Sequence, residues 1–390
     1  MRIPLLAAAI VAALLGSPVH AVQRAFVSVQ GNDANAGAGC SLAKPCRSFA
    51  AAAGVTDVNG EVLVLDSGGY GAVTLTKGVT LSAPAGVHAG ITAWAGAAAV
   101  SVNAPGATIR LHGLSLQGMG ADRGIDVIAV GRLVVESCDV AAFKAQGLYY
   151  AGSGGEILVR DTAFRDGDHQ GIELWGIGTP VNLVVDRGRF WHNGPIGSGA
   201  GLYLNGAVVA TLRDSLVSRN GSGLIAGASN AGALSIQIAN SAVTQNDSSG
   251  ILLGSFGNTL AALTVADTTV ADNGSSGIGT WSGSDVSPVS LEVSRAVVAR
   301  HGGYGISVVS DYGAPSNALL ADSVFSDNGA AVVARGAGAS VSVVRNAMLH
   351  NGTGLQQASG ATLRSAGDNV IESSTVAPTT GTITPIGALY

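Results

Sequence analysis

Charge is scarce in this 390-residue chain, and positive charge is scarcest of all. Only 12% of residues are charged, and 20 bases stand against 25 acids for a formal net charge of −5. Lysine occurs only at Lys44, Lys77 and Lys144. A nucleic-acid surface needs a basic stripe and an anionic membrane surface needs a polybasic cluster. Neither is present, so neither partner is expected. Cysteine is rare too: Cys40, Cys46 and Cys138 include no Cys-x-x-Cys pair, which argues against a zinc site.

Long apolar runs are also missing. The longest, residues 5–15, is too short to cross a bilayer. It follows Arg2 and precedes Val19-His20-Ala21, whose small residues suit a signal-peptidase site. Residues 1–21 are therefore read as a signal peptide, and the product as a secreted, periplasmic or cell-envelope protein without a membrane-spanning segment. In an oxidising compartment Cys40 and Cys46, close together in a loop with Gly and Pro, are expected to pair as a disulfide. Cys138 is left as a buried thiol.

What the chain has in quantity is glycine, 57 residues, together with 47% hydrophobic residues. Glycine at this level without apolar residues would mean a low-complexity chain. With them it means a folded protein full of tight turns. A Gly followed by an apolar residue recurs at Gly124, Gly147, Gly171, Gly201, Gly223, Gly250, Gly277, Gly305 and Gly354, with a weaker member at Gly329. The intervals of about two dozen residues mark an internal repeat.

A second block keeps its own columns between these glycines. In Leu263-x-Val265-x-Asp267-Thr268-x-Val270-x-x-Asn273 the alternating apolar residues read as a strand with one buried face. The fifth column is almost always small (Cys138, Thr162, Gly188, Ser215, Ser241), as a sharp bend requires. Two positions on, Val140, Phe164, Phe190, Val217 and Val243 refill the core. Three further on, Asn193, Asn220, Asn246, Asn273, His301, Asn328 and Asn351 form a turn column. Asn is suited there to the left-handed conformation and to stacking as an amide ladder. Three short strands per coil predict an all-β, single-stranded right-handed parallel β-helix of about ten to eleven coils, roughly 50 Å long at strand spacing.

This repeat resembles that of the right-handed parallel β-helix proteins of the pectate-lyase-like superfamily, over residues 70–372. Upstream, Phe26-Val-Ser28, Gly31-Asn-Asp33, Cys40, Pro45-Cys46-Arg47-Ser-Phe49 and Gly68-Gly-Tyr70-Gly71 resemble the start of exported bacterial β-helix proteins. The resemblance implies an N-terminal cap segment over residues 22–69, with a short helix near residues 46–54 closing the core. Residues 373–390 are expected to form an irregular tail.

Members of that superfamily include polysaccharide lyases, hydrolases and epimerases, but their motifs do not carry over. The paired aspartates and Gly-His-Gly of polygalacturonases are absent, as are the aspartates and arginine of calcium-dependent pectate lyases. Asp166-Gly-Asp168-His169 is similar to the Asp-Pro-His of alginate epimerases but lacks the Pro. No cofactor or metal is expected from the residues; calcium enters by superfamily analogy alone.

The residues themselves point to one face. The position after each Gly-apolar pair should face outward, and reads Asp126, Tyr149, Glu173, Tyr203 in successive coils. The next outward column contains Trp175 and Asn205. Aromatic faces pack on sugar rings while carboxylates and amides bind hydroxyls, so these six residues are the candidate polysaccharide- or cell-surface-glycan-binding set. If the protein is an enzyme, Glu173 would be its acid or base, with Asp168 or His169 as partner. Non-catalytic binding by a monomer is the first expectation, a polysaccharide lyase, hydrolase or epimerase the alternative.

Overall fold

The computed structural model describes residues 22–194, 199–229, 232–256, 258–284, 286–372 and 374–386. The expected signal peptide, residues 1–21, lies outside these. The chain winds as a parallel β-solenoid of about 12 turns. Among the described residues, the strands of successive coils pair in parallel. A representative coil has strands Ser222–Ala228, Leu234–Ala239 and Ala242–Thr244, which pair with Ile251–Ser255, Ala261–Ala266 and Thr269–Ala271 of the next. Third strands of successive coils form a 13-stranded sheet. First and second strands share a 24-stranded sheet, because several of them run together without a break, as in Gln170–Asp186 and Ala200–Arg213.

The alternation read from the sequence fixes what lies inside. Leu234, Ile236 and Ile238 are buried while Ser235 and Gln237 are exposed. The core-refilling column is fully enclosed, and Phe164 and Phe190 stack with centroids 5.4 Å apart. The glycine column exists for lack of room. A Cβ on Gly147 would lie 2.6 Å from the carbonyl oxygen of Gly171, and one on Gly250 2.7 Å from that of Gly277. Neither glycine has positive φ, so close stacking and not turn conformation selects them. In the coil where Gly329 was expected to continue this column, Ala331 stands in register with Gly305 and Gly354 instead.

The bends correct one sequence expectation. The Asn column is not left-handed; the residue before it is. His192, Arg219, Gln245, Asp272, Arg300, Asp327 and His350 all have φ between 55° and 57°. A second left-handed column separates the second and third strands of each coil, from Asp161 (φ 48°) to Arg345 (φ 52°). Each non-glycine residue there costs roughly 1–2 kcal/mol. The bend turns the following side chain inward, where it bonds along the axis and offsets that cost.

The amide ladder is therefore buried. Asn193 Nδ2 donates to Asn220 Oδ1 at 3.0 Å, Asn220 to Asn246 at 3.1 Å and Asn246 to Asn273 at 2.8 Å. Each Asn Oδ1 also accepts the backbone N–H of the Asn one coil earlier. His301 continues the ladder: its Nδ1 accepts from the Asn273 N–H at 3.2 Å, and its Nε2 lies 3.1 Å from the Val270 carbonyl. The small column forms a parallel ladder of hydroxyls, with Ser215 Oγ accepting from Gly188 N and Ser241 Oγ from Ser215 N. Cys138 sits buried in this column, and burial pushes its thiol pKa up to about 12.

Both ends are more regular than expected. The helix Phe49–Val55 is capped by the Ser48 side chain and buries Phe49, Ala52 and Ala53 over the open core. Cys40 and Cys46 form a disulfide beside it. The cap segment is also part of the solenoid, since Arg24–Val27 pairs with Gly60–Val64. At the other end Ala377–Thr380 and Ile383–Pro385 pair with Thr353–Ala358 and Thr362–Ser365. The tail expected to be irregular adds a closing coil, which raises the count above the expected ten to eleven. A last coil has no neighbour on one side, so it need not show the small residues that close stacking imposes on the others.

Candidate functional site

The first strands of four successive coils align Asp126, Tyr149, Glu173 and Tyr203 in register. All four face outward and are half-buried. Trp175, in register with Ala151 and Asn205, stands beside them. Its ring centroid is 5.7 Å from that of Tyr203.

Polar contacts tie this row together. Glu173 Oε1 accepts from the Trp175 indole N–H at 2.5 Å, and its Oε2 from Gln146 Nε2 at 2.7 Å. The Gln146 carbonyl oxygen accepts from Arg123 Nε at 3.1 Å. Arg123 pairs with Asp126 at 2.9 Å and lies 3.8 Å over the ring of Tyr149. A planar strip of guanidinium, amide, carboxylate and aromatic groups results, and Asp122, Arg123, Asp126 and Gln146 border a shallow recess of about 300 Å³ at its end.

Arg123 and Gln146 escaped the sequence reading. Their signal was present: each immediately precedes a glycine of the repeat, and Arg123, Gln146 and Gln170 are in register. That position was not tracked as a column because its residues share polarity, not shape.

Two expectations need correction. Asn205 is in the outward column but only 8% exposed. It therefore presents no amide to a ligand lying on the strip. Asp168 does not join Glu173. It lines a separate recess with Asp166, His192, Arg219, Gln245 and Asp247. There Asp166 is engaged by Arg165 at 2.6 Å and by His192 at 3.3 Å. His169 is exposed in the turn, with its backbone carbonyl packed against Gly199. The structure thus brings together the aromatic and carboxylate members of the set and places Asp168 in a recess that Glu173 does not line.

Among the described residues, no three or more His, Cys, Asp or Glu side chains are placed to hold a metal ion. No helix of the described residues is long and apolar enough to cross a membrane.

Outside the strip, the charged bend column forms discrete pairs. Arg187 meets Asp161 with two bonds of 2.6 and 2.8 Å, Arg295 meets Asp267 at 2.7 Å and Arg345 meets Asp322 at 2.7 Å. These guanidinium partners hold the three aspartates below the usual carboxylate range.

The continuous parallel sheets, the buried ladders and the bend columns define a right-handed parallel β-helix. Residues 98–290 match the family model described as the right handed beta helix region. Among solved structures, the chain is similar to XylC, described in complex with xylose. The two are 9% identical, with 84% of each chain covered and a TM-score of 0.55. It is also similar to the A-module of the Azotobacter vinelandii mannuronan C-5 epimerase AlgE6. That match is 14% identical, covers 85% of this chain and 92% of that one, and has a TM-score of 0.50. At these identities the likeness concerns the fold. No curated protein matches the sequence.

Proposed function

We propose that this chain is an exported β-helix protein, of the cell envelope or the secreted fraction, that binds polysaccharide along the outer face of its first coils. One observation carries the reading: Tyr149, Glu173, Trp175 and Tyr203 form a continuous outward strip whose polar groups are already oriented by Arg123 and Gln146. Pre-orientation lowers the ordering cost of binding. Half-buried rings offer apolar faces to sugar C–H groups, and the fixed carboxylate and guanidinium offer partners for hydroxyls. The fold is compatible with this, being shared with a protein described in complex with xylose and with an epimerase of mannuronan.

Binding is favoured over turnover because an acid–base mechanism needs a second ionisable group at the reacting bond. Both oxygens of Glu173 are engaged by uncharged donors, Gln146 and Trp175. The aspartate expected to partner it lines another recess.

The test is a glycan screen on residues 22–390 that scores both retention and the release of unsaturated or reducing ends. Binding without turnover, weakened roughly tenfold by Trp175→Ala or Tyr203→Ala, supports the proposal. Turnover abolished by Glu173→Gln replaces it with the enzyme reading. Silence in both assays refutes it.

A further inference from the structure

A long recess lies on a different surface from the aromatic strip. It is a groove of about 1260 Å³ along the bend between the second and third strands. It passes seven successive left-handed bends, Gly113, Ser137, Asp161, Arg187, Asp214, Asn240 and Asp267, and so runs roughly 30 Å along the rod at strand spacing. Its floor is the column of small residues, among them Thr162, Gly188 and Ser215. The bend column makes one wall and the start of each third strand the other.

The chemistry changes along the groove. Toward its N-terminal end the charges are spent on each other: Arg165 on Asp139 at 2.7 Å, Arg187 on Asp161 at 2.6 Å. In the middle they interact only at longer range, Arg189 with Asp161 and Asp214 with Arg187. Arg189 and Asp214 are exposed, neither has a salt bridge or side-chain hydrogen bond among the described residues, and the Asn240 amide likewise has none. Half-buried Trp191 lies beside them, its ring 6.0 Å from the Arg165 guanidinium. One unpaired cation, one unpaired carboxylate and one unpaired amide next to an indole make a surface rich in planar hydrogen-bonding groups but close to electrically neutral.

We propose that this groove is a second binding site, for a neutral linear glycan laid along the rod axis. It rests on the same polysaccharide reading as the strip but on separate residues. The length suits a polymer, not a single small molecule. A polyanion is disfavoured because two of the three arginines are neutralised by aspartates in the groove itself. An extended peptide would need an open strand edge to pair with, and here the strands run across the groove and are already paired on both sides. The hydroxyls of a neutral sugar can bond to guanidinium, carboxylate and amide groups, and its C–H face suits the indole.

The experiment measures binding of xylohexaose, mannohexaose and hexagalacturonate to residues 22–390 by calorimetry. The comparison is between wild type, Trp191→Ala, Arg189→Gln and Trp175→Ala, each checked for an unchanged thermal transition. The proposal expects a neutral hexasaccharide to bind, with affinity reduced roughly tenfold or more by Trp191→Ala and measurably by Arg189→Gln, and with a component insensitive to Trp175→Ala. Arg189→Gln removes an exposed group that has no salt bridge or side-chain hydrogen bond among the described residues, so it reads the groove even if Trp191→Ala does not fold. Binding of neutral sugars that depends on Trp175 alone overturns the groove and leaves the strip standing. Loss confined to Trp191 and Arg189 variants supports the groove and overturns the strip. Preference for hexagalacturonate, or no binding of any probe, overturns the proposal.

Discussion

At the scale of the residue, most of this protein is decided by what does not fit. A methyl group on Gly250 would meet both the Gly277 carbonyl and Asn273 Nδ2 at 2.7 Å. Gly250→Ala should therefore force coils apart at a cost of about 1–3 kcal/mol, read as a lower urea midpoint with an unchanged slope. Cys138 is the opposite case, a reactive residue type held inert. Only 4% exposed and with a thiol pKa pushed up to about 12, it should resist a thiol reagent at pH 8 until the chain unfolds. Fast labelling of the native protein would contradict the burial. The candidate site divides at this same scale. Tyr149, Glu173, Trp175 and Tyr203 were legible because outward positions follow from alternation. Arg123 and Gln146 share only polarity with their column, and the shielding of Asn205 depends on what the neighbouring coils place beside its strand.

At the scale of the element, the buried ladder does what alternation alone cannot: it fixes each coil's rotation on the last. Asn246→Ala would leave the Asn220 backbone N–H without its acceptor, take one of three acceptors from Asn220 Nδ2 and remove a donor to Asn273. Each orphaned buried group costs about 1–3 kcal/mol. Loss of the exposed Asp267–Arg295 pair in Asp267→Asn should cost much less, because solvent screens an exposed pair. Chemical denaturation of the two variants compares the two directly.

His301 makes the ladder sensitive to pH. Its Nδ1 faces the Asn273 N–H and so must be unprotonated, with the proton on Nε2 toward the Val270 carbonyl. Burial lowers its pKa below the ordinary 6.5. The folded state thus binds this proton less readily than the unfolded state. The stabilising contribution is complete above about pH 6.5 and falls as pH drops toward the folded pKa. Melting temperature should decline on mild acidification, and His301→Asn should flatten that part of the profile. The aspartate pairs, lowered by their arginines, lose their contribution only in more acid solution.

At the scale of the molecule, a solenoid holds each coil only through its neighbours, so stability is local along the rod. The Cys40–Cys46 disulfide and the helix Phe49–Val55 close one end. Replacing both cysteines by Ala should cost about 2 kcal/mol by loop entropy. Hydrogen exchange should then quicken in the first coils, with little change near Asn273. Uniform acceleration would mean that the rod unfolds as one unit.

The sequence by itself determined the class, the repeat and the inward columns, because glycine, alternation and amide ladders are imposed by stacking at every coil and recur often enough to be read. It also determined which residues face outward in the first strands. Tertiary structure alone decided three things. The residues carrying the left-handed bend are one position before the Asn column, since almost any side chain tolerates that site when its successor is anchored. The terminal segments join the solenoid, since an end coil lacks the second neighbour that would impose the repeat pattern. Glu173 sits with Gln146 and Trp175 while Asp168 lines a recess that Glu173 does not, since the bends set which neighbours in sequence share a surface.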